Sequence, residues 1–292
     1  MISAAYLLGG SAVVAGVVAL DRMATRVVRP VPRPPERTVP ELGVEHEDLR
    51  IPAGDHDLAA WLLRATASSS TDPLVLLAHG WGASCGTVLR LGEPLVRAGH
   101  DVLLFDVRGH GRNEAAPFVT VRHFRDDVIA VARWAAERFP ERPLVLVGHS
   151  MGGAAGVLAV VEGAPLHGLA LVAAPADVVR VTAEFLVDKG MPGNLMVQLF
   201  RPFWWRRIGG TFLPLTPSRR IGEVHVPLLL IQPENDQRVH RRHAERLAAA
   251  AGVEYHLVKG REHTDVLEAP ETLGLVRDLL ERVALERATG AV

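Results

Sequence analysis

The feature that most constrains this chain is the run Val145–Gly153, VLVGHSMGG, in which an aliphatic stretch ends on a serine boxed between glycines. PLVLV is short, apolar and β-branched, as expected of a strand buried on both faces. From Ala154 to Val161 the residues are small and aliphatic, as in a packed helix. Gly148, Gly152 and Gly153 lack Cβ atoms, so backbone can approach backbone there and unusual φ values cost little. A G-x-S-x-G run between strand and helix holds its serine on a tight elbow. Alone, the run could equally be a glycine-rich packing turn.

The rest of the chain repeats the strand-then-helix rhythm. EDLRIPAGDHDLAAWLLRA reads as two strands joined by a Gly-Asp turn, and PLVLLAHG as a buried strand followed by a helix over 83–98. HDVLLFDVRGHGR is a strand running into a glycine-rich turn. Phe124, Val128, Val131, Ala132 and Ala135 then fall at helical spacing, which predicts a helix over 121–139. Asp126 and Asp127 on it suit a solvated or locally bonded face. Further strands are expected in LHGLALVAAP, VPLLLIQPEND and VEYHLVKG, with helices over 239–251 and 271–287. This alternation predicts an α/β fold, a mainly parallel, doubly wound sheet covered on both faces. Between residues 176 and 226 the rhythm breaks, and an insertion of about 50 residues is expected to form a helical cap over a site. Within it LFRPFWWRRIGGTF gathers Phe200, Phe203, Trp204, Trp205 and Phe212. Such a cluster fits packing inside the cap or a face that meets a greasy substrate or lipid.

The N-terminus reads as a separate object. Residues 2–20 form 19 residues without a charge, near the ~20 that span a bilayer, and five arginines follow between Arg22 and Arg37. That order predicts a single-pass membrane anchor over residues 1–21 with the catalytic domain facing the cytoplasm. Secretion after cleavage of a signal peptide and a mere extra helix are the alternatives. RPVPRPPERTVP, with five prolines in twelve residues, makes residues 22–44 a stiff linker to a domain over 45–292. The net charge of −1 gives no field for nucleic acid, and the single Cys85 rules out an internal disulfide.

A serine hydroxyl needs a base to take its proton and an acid to orient that base. In a doubly wound sheet such groups collect beyond the carboxyl ends of strands. Asp236 follows one late strand and His263 another, giving the order Ser150, Asp236, His263. Glu234 is a second candidate acid. Two backbone N–H groups should hold the developing oxyanion: Met151, after the serine, and Trp81, in the loop HGWGAS. His79 is expected to brace that loop, and His110 and His149 to be structural. His240 and His243 lie one turn apart without a third ligand, so no metal is expected, and Cys85 suits a small buried residue.

On AHGWG, FDVRGHGRN, VGHSMGG, PENDQRV and GREHTDVLEAP, the chain resembles the α/β-hydrolase superfamily over roughly residues 45–288. It looks most like bacterial serine hydrolases of the lysophospholipase and monoacylglycerol-lipase type. The resemblance implies a serine hydrolase with nucleophile Ser150, acid Asp236, base His263 and oxyanion donors Trp81 and Met151, needing no cofactor. It departs from the family pattern at Asn113, Pro233 and His240. Trp81, Phe203, Trp204 and Trp205 are candidate substrate contacts. The expected reaction is cleavage of carboxylic esters, lipid-like or with medium or long acyl chains, through an acyl-enzyme. A peptidase or amidase, an acyltransferase, and a non-catalytic binding protein on the same fold are the alternatives.

Overall fold

The computed structural model describes residues 2–289, with side chains from residue 13 onward. Eight strands form one sheet in the order β1-β2-β4-β3-β5-β6-β7-β8. They are β1 (His46–Pro52), β2 (Asp57–Leu63), β3 (Leu74–Ala78), β4 (Val102–Phe105), β5 (Leu144–His149), β6 (Gly168–Val172), β7 (Leu228–Pro233) and β8 (His256–Val258). β1 and β2 pair antiparallel, as do β2 and β4, and every other pairing is parallel. The expected α/β-hydrolase architecture is present.

Period-2 alternation sorts each strand's residues between two cores. Leu74, Leu76, Leu144 and Leu146 face a layer with Phe124, Val128 and Val131 of α3 (Val121–Arg138) and Val157 of α4 (Met151–Val161). Val75, Leu77, Val145 and Val147 face the opposite layer, with α2 (Cys85–Arg97) and α9 (Pro270–Ala288). Because both faces are covered there, the central strands β3, β4, β5 and β6 are buried throughout, which explains their continuous aliphatic runs. Asp127 is no solvated residue. It is buried on α3 and accepts the Arg108 backbone N–H at 2.8 Å and the Arg108 guanidinium, pinning the turn after β4.

The insertion after β6 holds α5 (Val178–Asp188), α6 (Gly193–Ile208) and the short α7 (Pro217–Arg220) before the chain re-enters the sheet. α8 (Arg242–Ala251) follows β7. The expected anchor over residues 1–21 falls largely on residues whose side chains lie outside the described ones. Among the described residues no helix is long and apolar enough to cross a membrane. The apolar stretch belongs to α1 (Ile2–Val27), which runs past residue 21, and the side chains of its first eleven residues lie outside the described ones. The last turns of α1 pack on α6, with Ala24 fully buried, because Asp21, Thr25 and the Ala24 carbonyl all find polar partners on the cap. Nor does the proline-rich stretch stand clear of the domain: Val39 is fully buried and Arg37 pairs with Glu93 at 2.7 Å.

Candidate active site

Ser150 lies between the end of β5 and the start of α4 with φ 53° and ψ −119°. A side chain with φ in this region is strained, and such strain persists only where the surroundings impose it. Here they do. A Cβ on Gly148 would come within 2.5 Å of the Gly153 backbone, and one on Gly152 would strike the Ala78 carbonyl. The backbone N–H of Ser150 donates to Val172 of β6 at 2.8 Å, and its carbonyl begins α4. The hydroxyl is thereby lifted from the sheet with a helix N-terminus behind it.

Asp236 and His263 come together at the same end of the sheet. His263 Nδ1 and Asp236 Oδ2 are 2.8 Å apart, both residues buried. Asp236 Oδ1 accepts the backbone N–H groups of Arg238 and Val239, each at 2.8 Å, so the carboxylate is fixed from both sides. An ionised carboxylate only accepts, so Nδ1 carries the proton and Nε2 keeps its lone pair. Glu234 is placed elsewhere. It is on the surface, accepting the Gly260 N–H at 2.9 Å.

The loop after β3 faces the serine. A Cβ on Gly80 would lie 2.8 Å from Ser150 Cβ and 3.3 Å from its Oγ, so only glycine lets this backbone stand so close. His79 Nε2 accepts the Val107 N–H at 3.0 Å, which leaves the proton on Nδ1, and Nδ1 donates to the Gly80 carbonyl at 2.7 Å. In a trans peptide the carbonyl and the following N–H point opposite ways. Holding the Gly80 carbonyl therefore turns the Trp81 N–H the other way. Burial pushes the His79 pKa down, keeping it the neutral bridge this arrangement needs. The Trp81 ring is half-buried, stacked on Phe124 at 6.2 Å with the His110 ring at its edge.

Residues 69–203 match the family described as "Serine aminopeptidase, S33", a match that ends before Asp236 and His263. Rat monoglyceride lipase is 34% identical over 102 residues, 34% of this chain and 33% of that enzyme. The chain thus matches about a third of that relative's length. An uncharacterized protein of Mycobacterium tuberculosis is 29% identical over 236 residues, covering 78% of this chain and 76% of its own. The solved Pyrococcus furiosus esterase Pf2001 shares the fold at a TM-score of 0.66 and 20% identity, covering 87% of this chain and 99% of that one. The chain has the α/β-hydrolase fold, and over residues 69–203 it is similar to that serine aminopeptidase family. Over about a third of its length it is similar to the monoglyceride lipases.

Several residues hold the site without touching it. Asp106, fully buried, accepts the N–H groups of Cys85 (2.7 Å) and Arg112 (3.1 Å) and so ties α2 to the glycine turn. Sequence reading passed over Asp106, although its place at the end of a strand before R-G-H-G-R was the available signal. Asn113 explains its own departure from the family pattern. Its amide oxygen accepts from Ala59 (2.8 Å) while its amide nitrogen donates to the Asp106 carbonyl (2.6 Å), and a serine could not span both. Burial raises the Cys85 thiol pKa well above its ordinary value, which suits a packing residue and not a second nucleophile. His243 is buried, accepting the Ala176 N–H and donating to Glu184 of α5, and so tethers the cap.

The cap aromatics divide. Trp204 is 3% exposed within the cap's own core, which corrects its expected place at the substrate surface. Phe203 is half-buried against that core. Trp205 packs with Met151 on one apolar cluster at the cap's base, its indole N–H buried without a hydrogen-bond partner. A cavity of about 680 Å³ opens between α5, α6 and the start of α8, lined by Arg180, Arg201 and Arg242 among others. None of Ser150, Asp236 or His263 lines it.

Proposed function

We propose that this hydrolase is a serine esterase acting through an acyl-enzyme on Ser150, with His263 as base and Asp236 as the acid that orients it. The observation carrying this reading is the buried 2.8 Å contact between His263 Nδ1 and Asp236 Oδ2, with the His263 carbonyl bonded to His149, the residue before a serine held at positive φ. Ser150 Oγ attacks the ester carbonyl carbon while His263 Nε2 takes the hydroxyl proton. The oxyanion is held by the backbone N–H groups of Trp81 and Met151. Collapse breaks the carbon–oxygen bond, and His263 returns the proton to the departing alcohol. Water, deprotonated by His263, then attacks the acyl-enzyme, releasing the carboxylic acid and Ser150.

Esters with medium or long acyl chains, of the monoacylglycerol or lysolipid kind, are the favoured substrates. Support comes from the similarity to monoglyceride lipases and from Trp205 beside Met151 at the base of the cap. A fluorophosphonate probe should label the wild-type protein and not Ser150→Ala, and hydrolysis should rise from acetyl to dodecanoyl esters. A folded wild type that never labels would sink the esterase reading. A second reading, amide or peptide hydrolysis, is favoured by the family's printed description as an aminopeptidase. Turnover of aminoacyl amides above that of any ester in the same panel would select it.

A further inference from the structure

The cap's own core is more than two helices can enclose. α5 and α6 contribute Ala183, Leu186, Val197, Phe200 and Trp204, all buried, and a hairpin of two helices leaves one side of such a set open. α1 closes that side. Ala24 is fully buried among these residues, with Leu20, Val27 and Val28 packed around it. The indole Nε1 of Trp204 donates to the Ala24 carbonyl at 2.9 Å, 180 residues away in the chain. Arg207 donates to Thr25 Oγ1 at 2.5 Å and pairs with Asp21 at 2.8 Å. Only 10% of the Arg207 side chain is exposed, so these charge-assisted bonds are partly shielded from solvent.

The chain then leaves the cap and crosses the rim of the site. The Val28 carbonyl accepts the Val119 N–H at 2.7 Å, just before α3. Pro30 lies so close to Gly109 that a Cβ there would approach it to 2.7 Å, and Pro35 stands in the same relation to Gly86 at 2.6 Å. Arg33, Pro34 and Arg37 border a cavity of about 80 Å³ whose far wall is Gly82, Ala83 and Ser84, the continuation of the loop that carries Trp81. One continuous segment thus touches the cap at one end and the oxyanion loop at the other. All of it lies outside the part of the chain that matches the family.

We infer that residues 21–37 form a strap that seats the cap over the site, so that acceptance of long acyl chains is set from the N-terminal side. The inference rests on the reading of Ser150 as the nucleophile. Asp21, Ala24 and Thr25 are positioning residues: they act on substrate only through α6. Small esters need no cap to orient them, whereas a long chain must lie against it.

The test uses the full chain with Asp21→Asn/Thr25→Val, which removes both partners of Arg207, and separately Ala24→Leu, which forces bulk into a filled position. Trp204 fluorescence should shift to the red in each. The kcat/KM for a dodecanoyl ester should fall about tenfold, the size expected when charge-assisted hydrogen bonds are lost, with most of the change in KM. Acetyl ester turnover and the rate of fluorophosphonate labelling should stay within about twofold, since the reacting groups keep their geometry. Equal losses on both esters, unchanged fluorescence, or shifted fluorescence with an unchanged ester ratio would each overturn the strap. A wild type that fails to label at all would instead overturn the esterase reading.

Discussion

His149 Nε2 donates to the main-chain carbonyl of His263 across 2.8 Å, and the two imidazole rings stand 4.8 Å apart. The residue before the elbow serine therefore holds the loop that carries the proposed base. Burial keeps His149 neutral, its pKa pushed down to about 3, so no second charge competes when His263 takes a proton. His149→Phe keeps a ring and removes the donor, and kcat should fall about tenfold, the worth of one buried hydrogen bond. KM should hold. His149→Gln, which can still reach with an N–H, should recover part of the loss. A fall in KM equal to that in kcat, or no rescue by glutamine, would make His149 a packing residue only.

The acid is distinguished by substitution. Asp236→Asn keeps the shape but favours the wrong imidazole tautomer, and kcat should drop by ~10⁴. Glu234→Gln should change kcat by less than about twofold, because its carboxylate meets only the Gly260 N–H at the surface. Steady-state kinetics on one soluble ester decides between them, and a larger loss in the Glu234 variant would reassign the acid.

Acid should destabilise this fold in a defined window. Burial lowers the pKa of His110 to about 3 and of His123 to about 4, as it does His149, each from an ordinary value of 6.5. The unfolded chain binds these protons at higher pH than the folded one, so stability is full above pH 6.5 and falls as pH drops toward 3. Each such group adds a slope of up to about 1.4 kcal/mol per pH unit within that range. Urea midpoints measured at pH 7, 6 and 5 should fall progressively. A flat midpoint would mean that these imidazoles protonate without unfolding.

What could be read from the sequence was local in the chain, and what could not was distant. Ser150, Asp236 and His263 each follow a strand whose apolar run is visible in a few residues, and sheet topology brings strand ends together. The helix over 121–138 was legible from spacing alone. The burial of Asp127 was not, because its partner Arg108 sits in a turn that no periodicity describes. The strap was least legible. An apolar run followed by arginines does not reveal which of its last turns meets the cap, and the partners of Asp21 and Ala24 lie some 180 residues on. The one available signal was that Asp21 and Thr25 continue the helix beyond its apolar part, at a spacing that puts both on one face.

The loop facing the serine supplies the most demanding prediction. Gly80→Ala would place a methyl group 2.8 Å from Ser150 Cβ and 3.3 Å from its Oγ, and neither backbone can yield without moving the other. His79→Ala leaves that space untouched but frees the Gly80 carbonyl, so the Trp81 N–H is no longer aimed. Both should lower kcat by ~10²–10³, the cost of losing one oxyanion donor. They should differ toward the fluorophosphonate probe. The alanine at position 80 crowds the hydroxyl and should slow labelling as much as turnover. The His79 variant leaves the hydroxyl open and should retain the faster labelling of the two. Equal labelling rates would show that His79 and Gly80 act on the same feature, and that the aim of the Trp81 N–H is not set by the imidazole.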